Sequence, residues 1–274
     1  MKQGLSEQLI RSRLDDGVRA EIDRLHVVES IGSTNDYVMT ELDHRKAGFV
    51  ACIADQQTAG RGRNGREWLS PANANIYMSL GFYLNRAMLR QISGLSLACG
   101  VSIAIELEKL GISPMVKWPN DVMLDGKKLA GILIESRIKA DMVQVVVGVG
   151  LNVSMPQDIM KNIDRPWTDL ETALAGTGAS LERNEIAAHM LNALLDCCSE
   201  YNATGFAQFR KQWQRLDMLK GAEVILCSDA QETEQGAKVL GLDESFGLKV
   251  DVSGVEKVVH AADIKLKLQK HVNN

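Results

Sequence analysis

The chain has 274 residues, of which 45% are hydrophobic and 24% charged, and its formal net charge is −4. This length allows one large domain and one small domain, and the composition is typical of a soluble globular enzyme. A dedicated nucleic-acid-binding protein is usually basic, so the acidic balance argues against that class.

The N-terminal segment and the cysteines predict a cytoplasmic protein. Residues 1–16 are charged and lack the apolar core of a signal peptide, and no run reaches ~18 uninterrupted apolar residues. We therefore predict no membrane span. The five cysteines include no C-x-x-C pair, and the five histidines are scattered. These patterns favour reduced thiols over disulfides and predict no metal centre.

The hydrophobic pattern of the N-terminal part predicts helices and strands in alternation. We expect a short helix at 6–16, a strand at 24–30, a helix from Ser33 to about His44, strands at 49–56 and 75–84, and a long helix at 88–110. Ser33 is a plausible N-cap because its hydroxyl can accept a hydrogen bond from the first turn.

The C-terminal part predicts a change of architecture. Asp125-Gly126 between two apolar runs indicates a β-hairpin, 142–153 reads as a further strand, and 167–216 as helical. From residue 222 onward, short alternating runs between turns predict a small barrel of about five strands. We therefore predict an α+β fold with a mixed-sheet domain at 1–217 and a β-barrel at 218–274.

The segment TAGRGRNGREWLSP, residues 58–71, contains glycines at the spacing of a dinucleotide-binding motif. Gly60, Gly62 and Gly65 spell G-x-G-x-x-G. Such a motif should open directly into a helix and be followed by an acidic residue. Ser70-Pro71 prevents the helix, and no acidic residue stands near the expected position. The sequence therefore argues against a dinucleotide.

The arginines of this segment point to a different ligand. Arg61, Arg63 and Arg66 lie among flexible glycines. Like charges held this close repel, and glycine is costly to order, so the loop is poorly stabilised alone. Guanidinium groups match carboxylates and phosphates in a bidentate manner. We predict a loop that orders around an anion; the alternative is a solvated basic loop.

Three further segments combine polar residues with apolar strands. In KWPNDV, Pro119 breaks a strand and leaves Asn120 and Asp121 at the break, which is costly without partners; a simple turn is the alternative. In KKLAGILIE, Lys128 enters an apolar strand, either to meet an anion or to reach solvent. In GVGLNV, two glycines before Asn152 permit close approach of a ligand.

Taken together, these segments resemble the biotin protein ligases (biotin–acetyl-CoA-carboxylase ligases). The segments that carry the resemblance are STN at 33–35, QTAGRGRNGREWLSP at 57–71, KWPNDV at 117–122, KLAGILIE at 128–135 and GVGLNV at 148–153. The resemblance is dense over 25–153 and faint beyond 217. It implies a mixed-sheet catalytic domain related to class II aminoacyl-tRNA synthetases, followed by an SH3-like barrel.

The resemblance also implies a reaction. Biotin and MgATP would give biotinoyl-5′-AMP and pyrophosphate, and a lysine of a biotin carboxyl carrier protein would then take the biotin. A largely apolar pocket with few polar groups suits biotin. The implied biotin-binding residues are Ser33, Thr34, Asn35, Gln57, Arg61, Gly62, Arg63 and Lys128.

The implied catalytic residues are Arg63 and Lys128. Lys128 would lie between the biotin carboxylate and the α-phosphate and neutralise charge as the two anions meet. Residues implied for the nucleotide and its Mg²⁺ are Arg66 at the triphosphate, Trp68 at adenine, and Asn120, Asp121 and Asn152. Lys267 in DIKLK is a weaker match to a C-terminal basic residue near the nucleotide.

Two alternatives and one open question accompany this interpretation. A lipoate or octanoate ligase has a related fold, but the G-R-G-R loop argues against it. A biotin-responsive DNA-binding repressor would carry an N-terminal winged helix, whereas some 22 residues precede the first predicted strand. We therefore expect no specific DNA binding, and the sequence leaves open whether the chain forms a homodimer.

Overall fold

The computed structural model describes residues 4–44, 48–156, 165–177, 182–228, 233–261 and 265–268. Within these ranges the chain forms a seven-stranded mixed sheet and a five-stranded antiparallel sheet. The predicted α+β class is therefore confirmed for the part of the chain described.

The predicted elements of the N-terminal part are present with shifted bounds. They are α1 (Glu7–Ser12), α2 (Asp16–Glu21), β1 (Ile22–Ile31), α3 (Thr34–Asp43), β2 (Phe49–Gln57), β3 (Ile76–Asn85) and α4 (Ile92–Glu108). The short helix predicted at 6–16 is present but ends at Ser12, and the extended Asp15 is the N-cap of a second helix, α2. Ser33 is the N-cap residue of α3, although its side chain makes no capping hydrogen bond.

Four more strands complete the larger sheet. They are β4 (Met115–Lys117), β5 (Asp121–Leu124), β6 (Lys127–Lys139) and β7 (Met142–Leu151). The predicted hairpin is confirmed between β5 and β6, where Asp125 and Gly126 both have positive φ, at 49° and 74°. The strand order is β1-β2-β3-β7-β6-β5-β4, in which β1 and β2 are parallel and the other neighbours antiparallel.

The region 167–216 is only partly helical. The α-helices among its described residues are α5 (Leu170–Ala173), α6 (Arg183–Thr204) and α7 (Arg210–Leu216). Residue Trp167 instead forms a parallel bridge with Lys128, and the Lys128 N–H donates to Pro166 O at 3.0 Å. This non-local pairing holds the start of the region extended, and local sequence patterns carry no sign of it.

Helix α4 forms part of the main core. Among the described residues, the helical stretch Arg86–Glu108 is long and apolar enough to cross a membrane by length and composition. The first six residues of this stretch, Arg86–Gln91, form a 3-10 helix. The α-helical part packs on the sheet and against α6, and most of its residues are buried. That packing accounts for its lack of a polar face.

The C-terminal strands form a separate sheet. They are β8 (Glu223–Ser228), β9 (Thr233–Leu242), β10 (Leu248–Val252), β11 (Val255–Val259) and β12 (Lys265–Leu268), in the order β11-β10-β9-β8-β12. About five strands were predicted, and the described residues contain five. Lys267 lies on β12. Closure into an SH3-like barrel and the domain boundary at 217/218 stay predictions.

The two sheets share one hydrophobic core. Trp118 is buried, and its indole N–H donates to Phe246 O, in the turn between β9 and β10 of the smaller sheet, at 3.0 Å. The ring of Phe246 in turn meets Phe206 edge to face, with centroids 5.0 Å apart. The smaller sheet therefore packs firmly beside the cavity described next.

Candidate active site

A cavity of about 1000 Å³ lies over β3, β7, β6 and β5. It is covered by the glycine- and arginine-rich segment at residues 58–71, here called the Gly/Arg loop. The lining of the cavity includes every residue that the resemblance assigns to biotin, nucleotide or catalysis, apart from the weaker match Lys267, whose side chain lies outside the described part of the chain. These residues are Ser33, Thr34, Asn35, Gln57, Arg61, Gly62, Arg63, Arg66, Trp68, Asn120, Asp121, Lys128 and Asn152. The structure thus brings together five segments that are far apart in the chain, while the role of each residue stays a prediction.

One wall of the cavity is a chain of buried polar groups. The Thr34 N–H and hydroxyl both donate to Gln57 Oε1, at 2.9 and 3.1 Å. The Gln57 amide donates to Ser70 Oγ at 3.2 Å, and the Ser79 hydroxyl lies 2.7 Å from Thr34 Oγ1. These bonds fix the orientation of the wall before any ligand binds. Sequence reasoning missed Ser79, although a serine inside the apolar run IYMSLGF is a signal.

Asn35 is held by groups on both sides of its amide. Its Nδ2 donates to Glu135 Oε2 at 2.6 Å, and its Oδ1 accepts from the Ser79 hydroxyl at 2.5 Å. A Cβ at Gly148 would lie 2.3 Å from Asn35 Oδ1. We expected the missing side chain of Gly148 to allow close approach of a ligand, but the space is occupied by the Asn35 side chain.

The Gly/Arg loop folds into a small hairpin over the cavity. Asn64 and Gly65 have φ of 57° and 68°, in the left-handed region that suits a tight turn. The Gly62 N–H donates to Arg66 O at 2.7 Å, and the Trp68 N–H donates to Gly60 O at 3.0 Å. These backbone bonds place the loop arginines at the mouth of the cavity.

Arg61 is held by carboxylates of the protein itself. Its Nη1 and Nη2 donate to the two carboxylate oxygens of Asp36, at 2.7 and 2.6 Å, and Glu135 lies 3.4 Å from Nη2. The hydrogen bond from Arg61 lowers the pKa of Asp36 below its usual value. Sequence reasoning missed Asp36 and Glu135, which stand directly after STN and at the end of KLAGILIE. A substrate anion would compete with both for Arg61.

Arg63 connects the loop to the C-terminal part of the chain. Its Nη2 donates to Ala261 O at 2.7 Å, and its Nη1 donates to Asn120 Oδ1 at 3.4 Å. Burial lowers the pKa of Arg63, and the charge of Arg66 acts in the same direction. Through Arg63, the loop is therefore hydrogen-bonded both to the KWPNDV segment and to the C-terminal segment at residue 261.

Lys128 is held in the cavity wall by Asp121 and Trp68. Its Nζ is 2.6 Å from Asp121 Oδ1 and 5.0 Å from the ring centroid of Trp68, a cation–π geometry. Trp68 rests directly on the sheet, because a Cβ at Gly150 would lie 2.4 Å from its indole. A Cβ at Gly131 would lie 2.9 Å from Lys128 Nζ. These two glycines make room for the lysine and the indole.

Asn152 has a structural function in addition to its place in the cavity lining. Its Nδ2 donates to Thr168 O at 3.0 Å and to Lys128 O at 3.4 Å. It therefore ties the end of β7 to the start of β6 and to the segment before α5. Its predicted contact with the nucleotide would have to use the amide oxygen.

The charges of the cavity suit anionic ligands. Basic side chains among the lining residues are Arg61, Arg63, Arg66, Lys117, Lys128 and Arg165. Among the described residues, no group of three or more His, Cys, Asp or Glu side chains could hold a metal ion.

We expect the hairpin loop to be protected from trypsin by ligands. Arg61, Arg63 and Arg66 are cleavage sites, and substrate anions would add charge-assisted hydrogen bonds to them. Limited digestion should nick the ligand-free protein in the loop and nick it much more slowly with biotin plus MgATP. Digestion elsewhere serves as the internal reference. Equal loop cleavage, with ligand binding confirmed by calorimetry, would contradict ordering by ligand.

Comparison with known proteins agrees with the motifs and with the cavity. Residues 27–152 match the Biotin/lipoate A/B protein ligase family. The Escherichia coli bifunctional ligase/repressor BirA is 35% identical over 97% of this chain and 79% of its own length. A Mycobacterium tuberculosis biotin–[acetyl-CoA-carboxylase] ligase is 32% identical over 96% of both chains.

A solved structure shows the same fold. The biotin protein ligase from Aquifex aeolicus in complex with biotin and ATP superimposes with a TM-score of 0.72 and 27% identity, covering 90% of this chain and 100% of that chain. The sequence relatives and this structure agree with each other. The chain therefore belongs to the biotin protein ligases of the Biotin/lipoate A/B protein ligase family.

Proposed function

We propose that the chain is an ATP-dependent biotin–[biotin carboxyl carrier protein] ligase. The observation that carries this proposal is the arrangement of the cavity. Neutral polar side chains held by hydrogen bonds and a set of basic side chains line the same cavity, and the basic residue Lys128 is largely buried there. The neutral polar groups suit the uncharged ureido ring of biotin. The basic side chains suit the biotin carboxylate and the triphosphate of ATP.

In the first step, a biotin carboxylate oxygen would attack the α-phosphorus of ATP. The two reactants are both anions, and their repulsion is a large part of the barrier. Lys128, only 12% exposed, would lie between them and neutralise the charge that concentrates in the transition state. Arg61 and Arg63 would fold over the acyl phosphate and exclude water.

In the second step, a lysine amine of the carrier would attack the acyl carbonyl of biotinoyl-5′-AMP, and AMP would leave. This mixed anhydride is already activated, so the enzyme needs no nucleophile of its own. The buried thiols agree with this, because burial raises the pKa of Cys52 to about 12 and leaves it protonated. We propose the carrier protein of acetyl-CoA carboxylase as the acceptor and the cytoplasm as the location.

The substrate is best tested against the lipoate alternative. Isothermal titration with biotin and with lipoate, each with and without MgATP, compares the two acyl acids directly. We expect biotin to bind and lipoate to give no heat above dilution. Pyrophosphate release should require biotin and MgATP together. Binding and activation of lipoate in place of biotin would refute the proposal.

We expect no sequence-specific DNA binding by this chain. Its formal net charge is −4, and specific DNA binding depends largely on basic surfaces that replace counterions. The relevant assay is a gel shift with the promoter of the organism's own biotin operon, with biotin and ATP present. A sequence-specific shift at submicromolar protein would favour a repressor function and contradict this expectation.

A further inference from the structure

The inference concerns Lys117, which the motif analysis quoted as part of KWPNDV without assigning it a function. Lys117 is the last residue of β4 and lines the cavity, where it is half-buried. Its strand pairs with β5 so that Lys117 stands opposite Asp121. The side chain is therefore placed at the cavity wall by a hairpin whose other strand carries a predicted nucleotide residue.

The charges around Lys117 are unbalanced. The Asp121 carboxylate is 2.6 Å from Lys128 Nζ and so is already paired. Among the described residues, no hydrogen-bond or ion-pair partner contacts the Lys117 amine. Burial lowers the pKa of Lys117, Asp121 raises it, and the charges of Lys128 and Arg165 lower it further. The lysine amine thus lies near other positive charges while its facing carboxylate is paired with Lys128, an arrangement that an anion would stabilise.

The sheet order gives the direction in which a substrate would lie. Gln57, in the polar wall, is on β2; Lys128 is on β6; and Lys117 is on β4, at the far edge of the sheet. A ligand that runs from the polar wall past Lys128 therefore arrives at Lys117 last. If the biotin carboxylate and the α-phosphate meet at Lys128, the β- and γ-phosphates lie beyond it.

We propose that Lys117 binds the β- and γ-phosphates of ATP and holds the pyrophosphate as it leaves. This inference rests on the proposed ligase function. As the biotin carboxylate oxygen bonds to the α-phosphorus, the bond from that phosphorus to the α–β bridging oxygen breaks. The bridging oxygen takes the electron pair and departs with pyrophosphate. Lys117 stabilises the charge that accumulates there, whereas Lys128 acts on the side of the attacking oxygen.

The test compares Lys117→Gln, Lys117→Arg and the neighbouring control Lys127→Gln, whose side chain is exposed and outside the cavity lining. Three quantities are measured: the KM for ATP in biotin-dependent pyrophosphate release, the inhibition constant of added pyrophosphate, and the Kd of a sulfamoyl analogue of biotinoyl-AMP. The analogue contains no pyrophosphate, so its binding reports on the rest of the site.

Lys117→Gln should raise the KM for ATP and the pyrophosphate inhibition constant by about tenfold or more, the usual effect of losing a charged hydrogen bond. The Kd of the analogue should not change, Lys117→Arg should recover most of the loss, and Lys127→Gln should resemble the wild type. Unchanged ATP and pyrophosphate constants would overturn the inference. Equal weakening of the analogue would also overturn it, because that pattern indicates a general structural role. Absence of pyrophosphate release by the wild type would overturn the ligase function as well.

Discussion

Replacing Lys128 by alanine is expected to slow biotinoyl-AMP formation by about 100- to 1000-fold, the range seen when a transition-state charge contact is removed. Two effects add. The two reacting anions lose the positive charge between them, and Asp121 loses the partner at 2.6 Å that balances it inside the cavity. The Asp121 carboxylate would then repel both the biotin carboxylate and the α-phosphate.

Pyrophosphate release with biotin and saturating MgATP measures this loss. Lys127→Ala is the matched control, because it removes the adjacent lysine, which is exposed. Thermal unfolding of both variants separates a catalytic defect from a folding defect. A Lys128→Ala variant that is folded and releases pyrophosphate near the wild-type rate would contradict the role of Lys128.

The largest effect on stability is expected at Arg183. Its Nη2 lies 2.5 Å from Asp55 Oδ1 and donates to Asn75 O at 2.8 Å, and the two side chains are only 5% and 11% exposed. Removing one partner of a buried ion pair leaves an uncompensated charge, which costs about 3–5 kcal/mol. Arg183→Met should therefore lower the free energy of unfolding by about that amount.

Urea denaturation at neutral pH measures the change. Arg11→Met is the control, because its partner Glu7 is half exposed and such surface pairs contribute about 0–1 kcal/mol. The double variant Asp55→Leu/Arg183→Met should recover much of the loss, since it leaves no unpaired charge. If Arg183→Met lowered the free energy of unfolding no more than Arg11→Met does, the expected contribution of the buried pair to stability would be contradicted.

The location of this pair explains why a distant arginine matters to the site. Asp55 lies on β2, two residues before Gln57, and its second oxygen accepts the Asn73 N–H at 2.9 Å. Arg183 begins α6. The pair thus joins the long helix to both ends of the segment that carries the Gly/Arg loop. We expect its loss to disturb the cavity as well as the fold.

The sequence identified the residues that line the cavity, but not the residues that hold them in place by hydrogen bonds and ion pairs. Glycines, prolines and arginines at strand ends are unusual enough to be noticed one segment at a time, and these segments do line one cavity. Ser79, Asp36 and Glu135 were missed because each is ordinary in its own segment. Their importance arises from contacts with Asn35 and Arg61, which depend on how distant strands align.

The errors in secondary structure have a related cause. Local patterns predicted the buried strands and α4 because these are continuous apolar runs, bounded by polar or turn residues. They failed at Trp167, where pairing with Lys128 holds the backbone extended, and at Asp15, whose extended backbone makes it the N-cap of a second helix. Both outcomes are decided by tertiary contacts or by a single backbone conformation, which an average over a window of residues does not detect.

The contact between Trp68 and the sheet has a consequence for how this site can change through mutation. Because the indole fills the space above Gly150, positions 68 and 150 share a single volume. A methyl group at 150 is tolerable only if the residue at 68 becomes smaller or moves. The two positions should therefore behave as one unit in a double-mutant cycle, in which the second substitution relieves the strain of the first. Libraries that randomise this cavity should vary them together, since single changes at either position would discard the compatible pairs.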